Sequence, residues 1–183
     1  MRMFCVVILC GLLGAVVFTA RGQDHPQSPV FIPTEGISLT ISAINGVVRT
    51  GSSVQLKVTL KNKSDHDVVI FLSKAGATCT YKVDVRDEAG SLPPETRTGI
   101  LSNGHVDPNE WEHLGLTLKE IMETCASSFP FTLKAGAVFE QTLMVSALYN
   151  FTKPGKYNIQ IAKGPDQGGI VVRSNAVTVI VMQ

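Results

Sequence analysis

Apolar and polar residues alternate with a period of two through most of this chain, the pattern of half-buried strands. Val54, Leu56, Val58 and Leu60 alternate with Gln55, Lys57, Thr59 and Lys61, the cleanest instance. Ile37, Leu39 and Ile41 predict an earlier strand over 37–44, and Tyr81, Val83 and Val85 a later one. Phe129, Phe131 and Leu133 predict another, as do Phe139, Leu143 and Val145. Tyr157, Ile159 and Ile161 oppose Lys156, Asn158 and Gln160. Ile170-Val171-Val172 begins a final strand that breaks at Ser174-Asn175 and resumes at Val177, Val179 and Val181. Val68 to Leu72 is apolar without interruption, which predicts a central strand covered on both faces. Asn45-Gly46, Gly51, Asn62-Lys63-Ser64-Asp65, Asp87-Glu88-Ala89-Gly90, Lys134-Ala135-Gly136 and Pro154-Gly155 supply the turns. Seven to eight strands with turns about every ten residues predict an all-β, antiparallel β-sandwich.

The alternation stops between residues 91 and 128. Pro93-Pro94, Gly99, Asn103-Gly104 and Pro108 predict mostly loop there. Asp107-Pro108-Asn109-Glu110 has the spacing of a helix start, and so has Thr117-Leu118-Lys119-Glu120. Leu118, Ile121 and Met122 would form the inner face of one or two turns, and Gly115 argues against one longer helix. The expected domain is therefore a sandwich over 37–183 carrying one long, partly helical insertion at 91–128. A loop of that length inside a compact domain is commonly functional.

The N-terminus changes the composition that matters. Met1-Arg2-Met3-Phe4 is a short basic start, Cys5 to Phe18 carries no charge, and Ala20 and Gly22 are small residues before Gln23. That three-part layout predicts a signal peptide over 1–22, cleaved on export. The apolar run is shorter than the ~20 residues a membrane span needs, so no membrane insertion is expected after cleavage. Residues 23–36, with Pro26, Pro29 and Pro33, read as an extended leader. Loss of Arg2 and Arg21 leaves the basic residues one short of the 15 acidic ones, without the basic excess that nucleic-acid binding calls for. The expected location is secreted or periplasmic. With Cys5 and Cys10 gone, Cys79 and Cys125 are the remaining cysteines and are expected to form a disulfide bond.

Candidate chemistry is sparse. No nucleophile elbow, glycine-rich phosphate loop or His-x-x-x-His pair is present, so the expectation is a protein with no cofactor, no metal and no catalytic residue. Ligand-type side chains concentrate in the insertion: His105, Asp107, Glu110, Glu112 and His113. They define a lesser alternative, a metal-dependent hydrolase, although the spacing matches no common zinc site. Cys125 with His105 or His113 as a thiol nucleophile and base is weaker still beside a disulfide. Trp111 either packs the insertion onto the sheet or, with His105 and His113, contacts a partner. Asn62-Lys63-Ser64 and Asn150-Phe151-Thr152 match the N-glycosylation acceptor, but both fall at turns where asparagine is common.

Lys153-Pro154-Gly155-Lys156-Tyr157, preceded by Tyr149, resembles the tyrosine corner of immunoglobulin-like and fibronectin type III-like domains. The resemblance implies that Tyr157 buries its ring and bonds its hydroxyl to the corner backbone, and that Tyr149, Pro154 and Gly155 are structural. Together with Asn62-Lys63-Ser64-Asp65, Leu133-Lys134-Ala135-Gly136 and Ser174-Asn175, it makes the chain similar to bacterial exported immunoglobulin-like domains. The same outline is similar to the intracellular proteinase inhibitor family of bacilli, from which the signal peptide and the insertion depart. The resemblance implies a non-enzymatic binding or structural module contacting another macromolecule, an unknown protein or envelope component. Its more specific alternative is protease inhibition through an extended loop at residues 92–101.

Overall fold

The computed structural model describes residues 36–104, 113–164 and 171–183. The expected signal peptide, the leader up to residue 35, His105, Asp107, Glu110, Trp111 and Glu112 lie outside the described residues.

The described residues form an all-β, antiparallel sandwich. One sheet holds β1 (Ile37–Ala43), β3 (Gln55–Asn62) and β7 (Val138–Met144) in the order β1-β3-β7. The second holds β2 (Val47–Arg49), β10 (Val177–Met182), β8 (Gly155–Lys163) and β5 (Lys82–Arg86) in that order, with β9 (Val172–Arg173) on β8. The first two strands thus fall on opposite sheets, and β2 runs parallel to β10 while the other pairings are antiparallel. A separate ribbon pairs β4 (Val68–Ser73) with β6 (Ser128–Leu133). The short β2 and β9 raise the strand count above the seven to eight expected, because two or three residues are too few to show a period.

The core follows from the alternation. Leu56, Val58 and Leu60 of β3 are fully buried, and Leu39, Ile41 and Leu143 face them on the same sheet's inner side. Tyr157, Ile159, Ile161, Val83, Val85, Val179 and Val181 fill the gap from the other sheet. Each such aliphatic side chain contributes about 1.5–3 kcal/mol by leaving water. β4 departs from expectation. Val68, Ile70 and Leu72 face the core, but Val69 is 41% exposed and Phe71 half-buried, because β4 belongs to a two-stranded ribbon and not to the middle of a sheet. An uninterrupted apolar run does not distinguish these cases.

Asn62 joins the ribbon to the three-stranded sheet. Its buried Nδ2 donates to the carbonyls of His66 (2.8 Å), Leu133 (3.0 Å) and Lys134 (3.1 Å), while Oδ1 accepts from the Ser64 amide. The Asn62-Lys63-Ser64 motif is therefore a structural corner. Asn150, in the second motif, is exposed.

Among the described residues three short α-helices lie outside the sheets: α1 (Ala77–Thr80), α2 (Arg97–Asn103) and α3 (Leu118–Glu123). α3 starts where its motif predicts, with reciprocal Thr117 and Glu120 capping bonds. Gly115 sits at φ 63°, so the chain does turn before it. α2 occupies a segment expected to be loop: Thr96 Oγ1 accepts from the Gly99 amide at its start, and Gly104 ends it at φ 68°.

Candidate functional site

The described residues between β5 and β6 form a lobe fastened to the sandwich at several points. Residues 94–96 run beside 148–150: the Thr96 amide donates to Leu148 O (2.9 Å), the Asn150 amide to Pro94 O (2.8 Å), and Glu95 bridges Tyr149. The Thr96 hydroxyl also donates to Ala147 O. α2 then lies directly on this strip. A Cβ at Gly99 would stand 2.0 Å from Leu148 O and 2.9 Å from Leu148 C, so only glycine permits the approach.

The Arg97 guanidinium ties α2 to the start of α3. It donates to Gly115 O (2.8 Å) and to both Glu120 carboxylate oxygens (2.8 and 3.0 Å). Glu120 also accepts from the Thr117 amide (2.9 Å) and hydroxyl (2.8 Å). Arg97 first, and then the two Thr117 donors, pull the Glu120 carboxyl down to about 2.

The third fastening is the Cys79–Cys125 disulfide, which links α1 to the residue after Thr124 with Cα atoms 5.1 Å apart. Cys125 adopts φ 61° there, the left-handed region. With both sulfurs bonded to each other, Cys125 offers no thiol, which overturns the Cys–His nucleophile reading.

Tyr149 ties the lobe's base to the second sheet. Its hydroxyl donates to Val83 O (2.9 Å) and accepts from Asn103 Nδ2 (3.2 Å), whose amide also donates to Glu95. Burial, then the nearby Glu95 carboxylate, raises the Tyr149 phenol. Tyr157 forms the corner bond: its hydroxyl donates to Lys153 O at 2.7 Å, and its ring meets Phe151 edge-on at 5.0 Å. Gly155 sits at φ 151°, and Pro154 is exposed beside it.

Of the residues nominated for partner contact, His113 is exposed at the lobe's rim, and Trp111 and His105 lie outside the described residues. Among the described residues no group of three His, Cys, Asp or Glu side chains is gathered as a metal would require. Residues 92–101 are not one extended loop, because Arg97 to Leu101 are helical. Leu92, Leu114 and Met122 are apolar and exposed on the lobe. Away from it, an open cleft of about 340 Å³ lies along β5 and β8, lined by Lys82, Asp84, Gln160, Gly164 and Arg173 among others. Among the described residues its lining gathers no acid–base or nucleophilic pair.

Arg97 and Glu95 carry the lobe's geometry without having been singled out in the sequence, and Gly99 and Asn103 stood out there only as loop signals. Thr96 followed three residues later by glycine, not by Glu or Gln, gave no capping-box signal.

No family model matches the chain. A human protein described as Sec1 family domain-containing protein 2 is 30% identical over 84 residues, which is 46% of this chain. The match spans 12% of that protein's length. Among solved structures, the CARDB domain of a Pyrococcus furiosus protein in complex with di-metal ions is 12% identical, with a TM-score of 0.41 over 80% of this chain and 92% of that one. A Listeria innocua β-glucosidase in complex with glucose is 16% identical, with a TM-score of 0.40 over 91% of this chain and 19% of that one. These likenesses do not place the chain in a family; the fold rests on its own strand pairing.

Proposed function

We propose that the chain is an exported, non-enzymatic β-sandwich module that contacts another macromolecule through its 91–128 lobe. One observation carries this reading. The lobe is fastened by a disulfide, by the Arg97–Glu120 pair and by the strip along 148–150, yet it turns Leu92, Leu114 and Met122 to solvent. Apolar side chains held on an ordered support lower the ordering cost of association. The disulfide supports an oxidising compartment, and so secretion or a periplasmic location. No helix among the described residues is long and apolar enough to cross a membrane.

The test compares the purified protein with Leu114→Asp and Met122→Asp variants as baits against the host's envelope and secreted fractions. A partner retained by the parent and by a Val171→Asp control, and lost by both lobe variants, supports the reading. Capture unchanged by the lobe variants removes it. N-terminal sequencing of the exported protein tests the compartment separately: a chain that begins at Gln23 supports cleavage, and one that keeps Met1 opposes it.

A further inference from the structure

We propose that the cleft along β5, β8 and β9 binds a small organic oxyanion, whose charged head sits between Lys82 and Arg173 and whose apolar body lies over Ala162 and Gly164.

Strand register builds the cleft. Ala162 of β8 is paired with Lys82 of β5 on one side and with Arg173 of β9 on the other. Directly opposed residues of antiparallel strands share a face, so the three side chains form one row across the sheet. That face is the outer one, because the neighbouring Val83 and Ile161 are buried in the core. Along β8 the outward positions shrink from Gln160 to Ala162 to Gly164, while the flanking strands carry long side chains. The result is a trough of about 340 Å³, which Val171, two residues before Arg173, also lines. A Cβ at Gly164 would meet nothing within 4 Å, so the floor there is open. A space of this size falls within the range of small-molecule sites.

Charge selects the ligand. Strands just under 5 Å apart put Lys82 and Arg173 about 10 Å from each other at Cα, so both side chains reach an anion held over Ala162. Both residues are exposed, and neither side chain has an ion-pair partner among the described residues. Asp84, the carboxylate of the lining, does not neutralise them, because Arg86 Nε donates to it at 2.8 Å. The guanidinium of Arg173 offers a planar fork to a carboxylate or phosphate, and the Lys82 ammonium adds a point charge from the other side.

The lining also sets the ligand's direction. A second anionic group placed towards Gln160 would meet Asp84, which is opposite it. Gln160 itself is committed, its Nε2 donating to Ser174 O at 2.8 Å. The other way, over Gly164 and beside Val171, the surface is apolar and suits an aliphatic or aromatic body. One charged head on a compact apolar body satisfies the cations, the carboxylate and the floor together.

The test is two-dimensional NMR of the purified protein titrated with benzoate, phenyl phosphate and benzyl alcohol. The expected result is saturable shifts of the Lys82, Ala162 and Arg173 amides with an anion and none with the alcohol. The tighter of the two anions identifies the head group as carboxylate or phosphate. Lys82→Gln and Arg173→Gln, at exposed positions, should each weaken binding roughly tenfold with the melting temperature unchanged. Gly164→Leu keeps both charges but fills the trough, and should abolish the shifts; it separates a shaped site from loose attraction of anions to surface cations. Absence of saturable shifts with both anions overturns the proposal. So do equal shifts with benzyl alcohol, binding indifferent to both charge variants, or full binding by Gly164→Leu.

Discussion

Asn175 holds the main chain of Ile41 at both ends of one residue: the Ile41 amide donates to Asn175 Oδ1 at 2.9 Å, and Asn175 Nδ2 donates to Ile41 O at 3.0 Å. The amide side chain thus stands in for a neighbouring strand and ties the edge of one sheet to the start of β10 in the other. Ser174 beside it does the same for β8, donating its amide to Ile161 O and accepting the Ile161 amide at its hydroxyl. The Ser174-Asn175 interruption is therefore a joint between the sheets.

Asn175→Ala removes two bonds and strands an amide and a carbonyl of Ile41, a part-buried site. The expected loss is about 2 kcal/mol in urea unfolding. An unchanged midpoint would show that water replaces both bonds.

Two tyrosine hydroxyls rank by the burial of what they bond. Tyr157→Phe frees Lys153 O near the surface and should cost about 1 kcal/mol. Tyr149→Phe leaves the buried Val83 carbonyl unpaired and should cost about 2 kcal/mol. Thermal melts of both variants check the order; a larger loss for Tyr157→Phe would contradict it.

Gly99→Ala drives a methyl group into the Leu148 carbonyl, a backbone atom that cannot swing aside. Overpacking of that kind should cost about 2 kcal/mol or more and lift α2 off the 148–150 strip. Gly136→Ala, at φ 70° with open space around it, should cost only about 1 kcal/mol. Equal losses would show that conformation, and not contact, governs position 99.

The Cys79–Cys125 bridge spans 46 residues, and closing a loop of that size stabilises by about 4 kcal/mol in the chain-entropy picture. The Cys79→Ser, Cys125→Ser double variant should lose about that much in guanidinium unfolding, and proteolysis should cut first within residues 91–128. Unaltered resistance there would mean that Arg97 and the Leu148 strip suffice.

Glu120 makes the lobe sensitive to acid. Its folded value of about 2 lies below the ordinary 4.5, so its contribution is fully present above the ordinary value and is lost as pH falls towards the folded one. Amide exchange in α3 should accelerate between about pH 4.5 and about 2, and Glu120→Gln should remove that dependence while exposing α3 already at neutral pH. A parent and variant with the same pH profile would show that Arg97 does not hold the lobe.

What the sequence by itself determined is what repeats locally or has few possible partners. Alternation at Leu56, Val58 and Leu60, or at Tyr157, Ile159 and Ile161, marks buried faces because the strand period is built into the backbone. Thr117 and Glu120 signal a helix start because their bonds close within one turn. Once the expected signal segment is set aside, Cys79 and Cys125 have only each other. The tertiary structure decided the rest, because those partners lie far apart along the chain. Asn175 meets Ile41 across 134 residues, Tyr149 meets Val83 across 66, and Arg97 meets Glu120 across 23. No local pattern records such distances. Nor does β4 announce from its apolar run that it belongs to a ribbon, since which strand lies beside another is settled only when the sheets assemble.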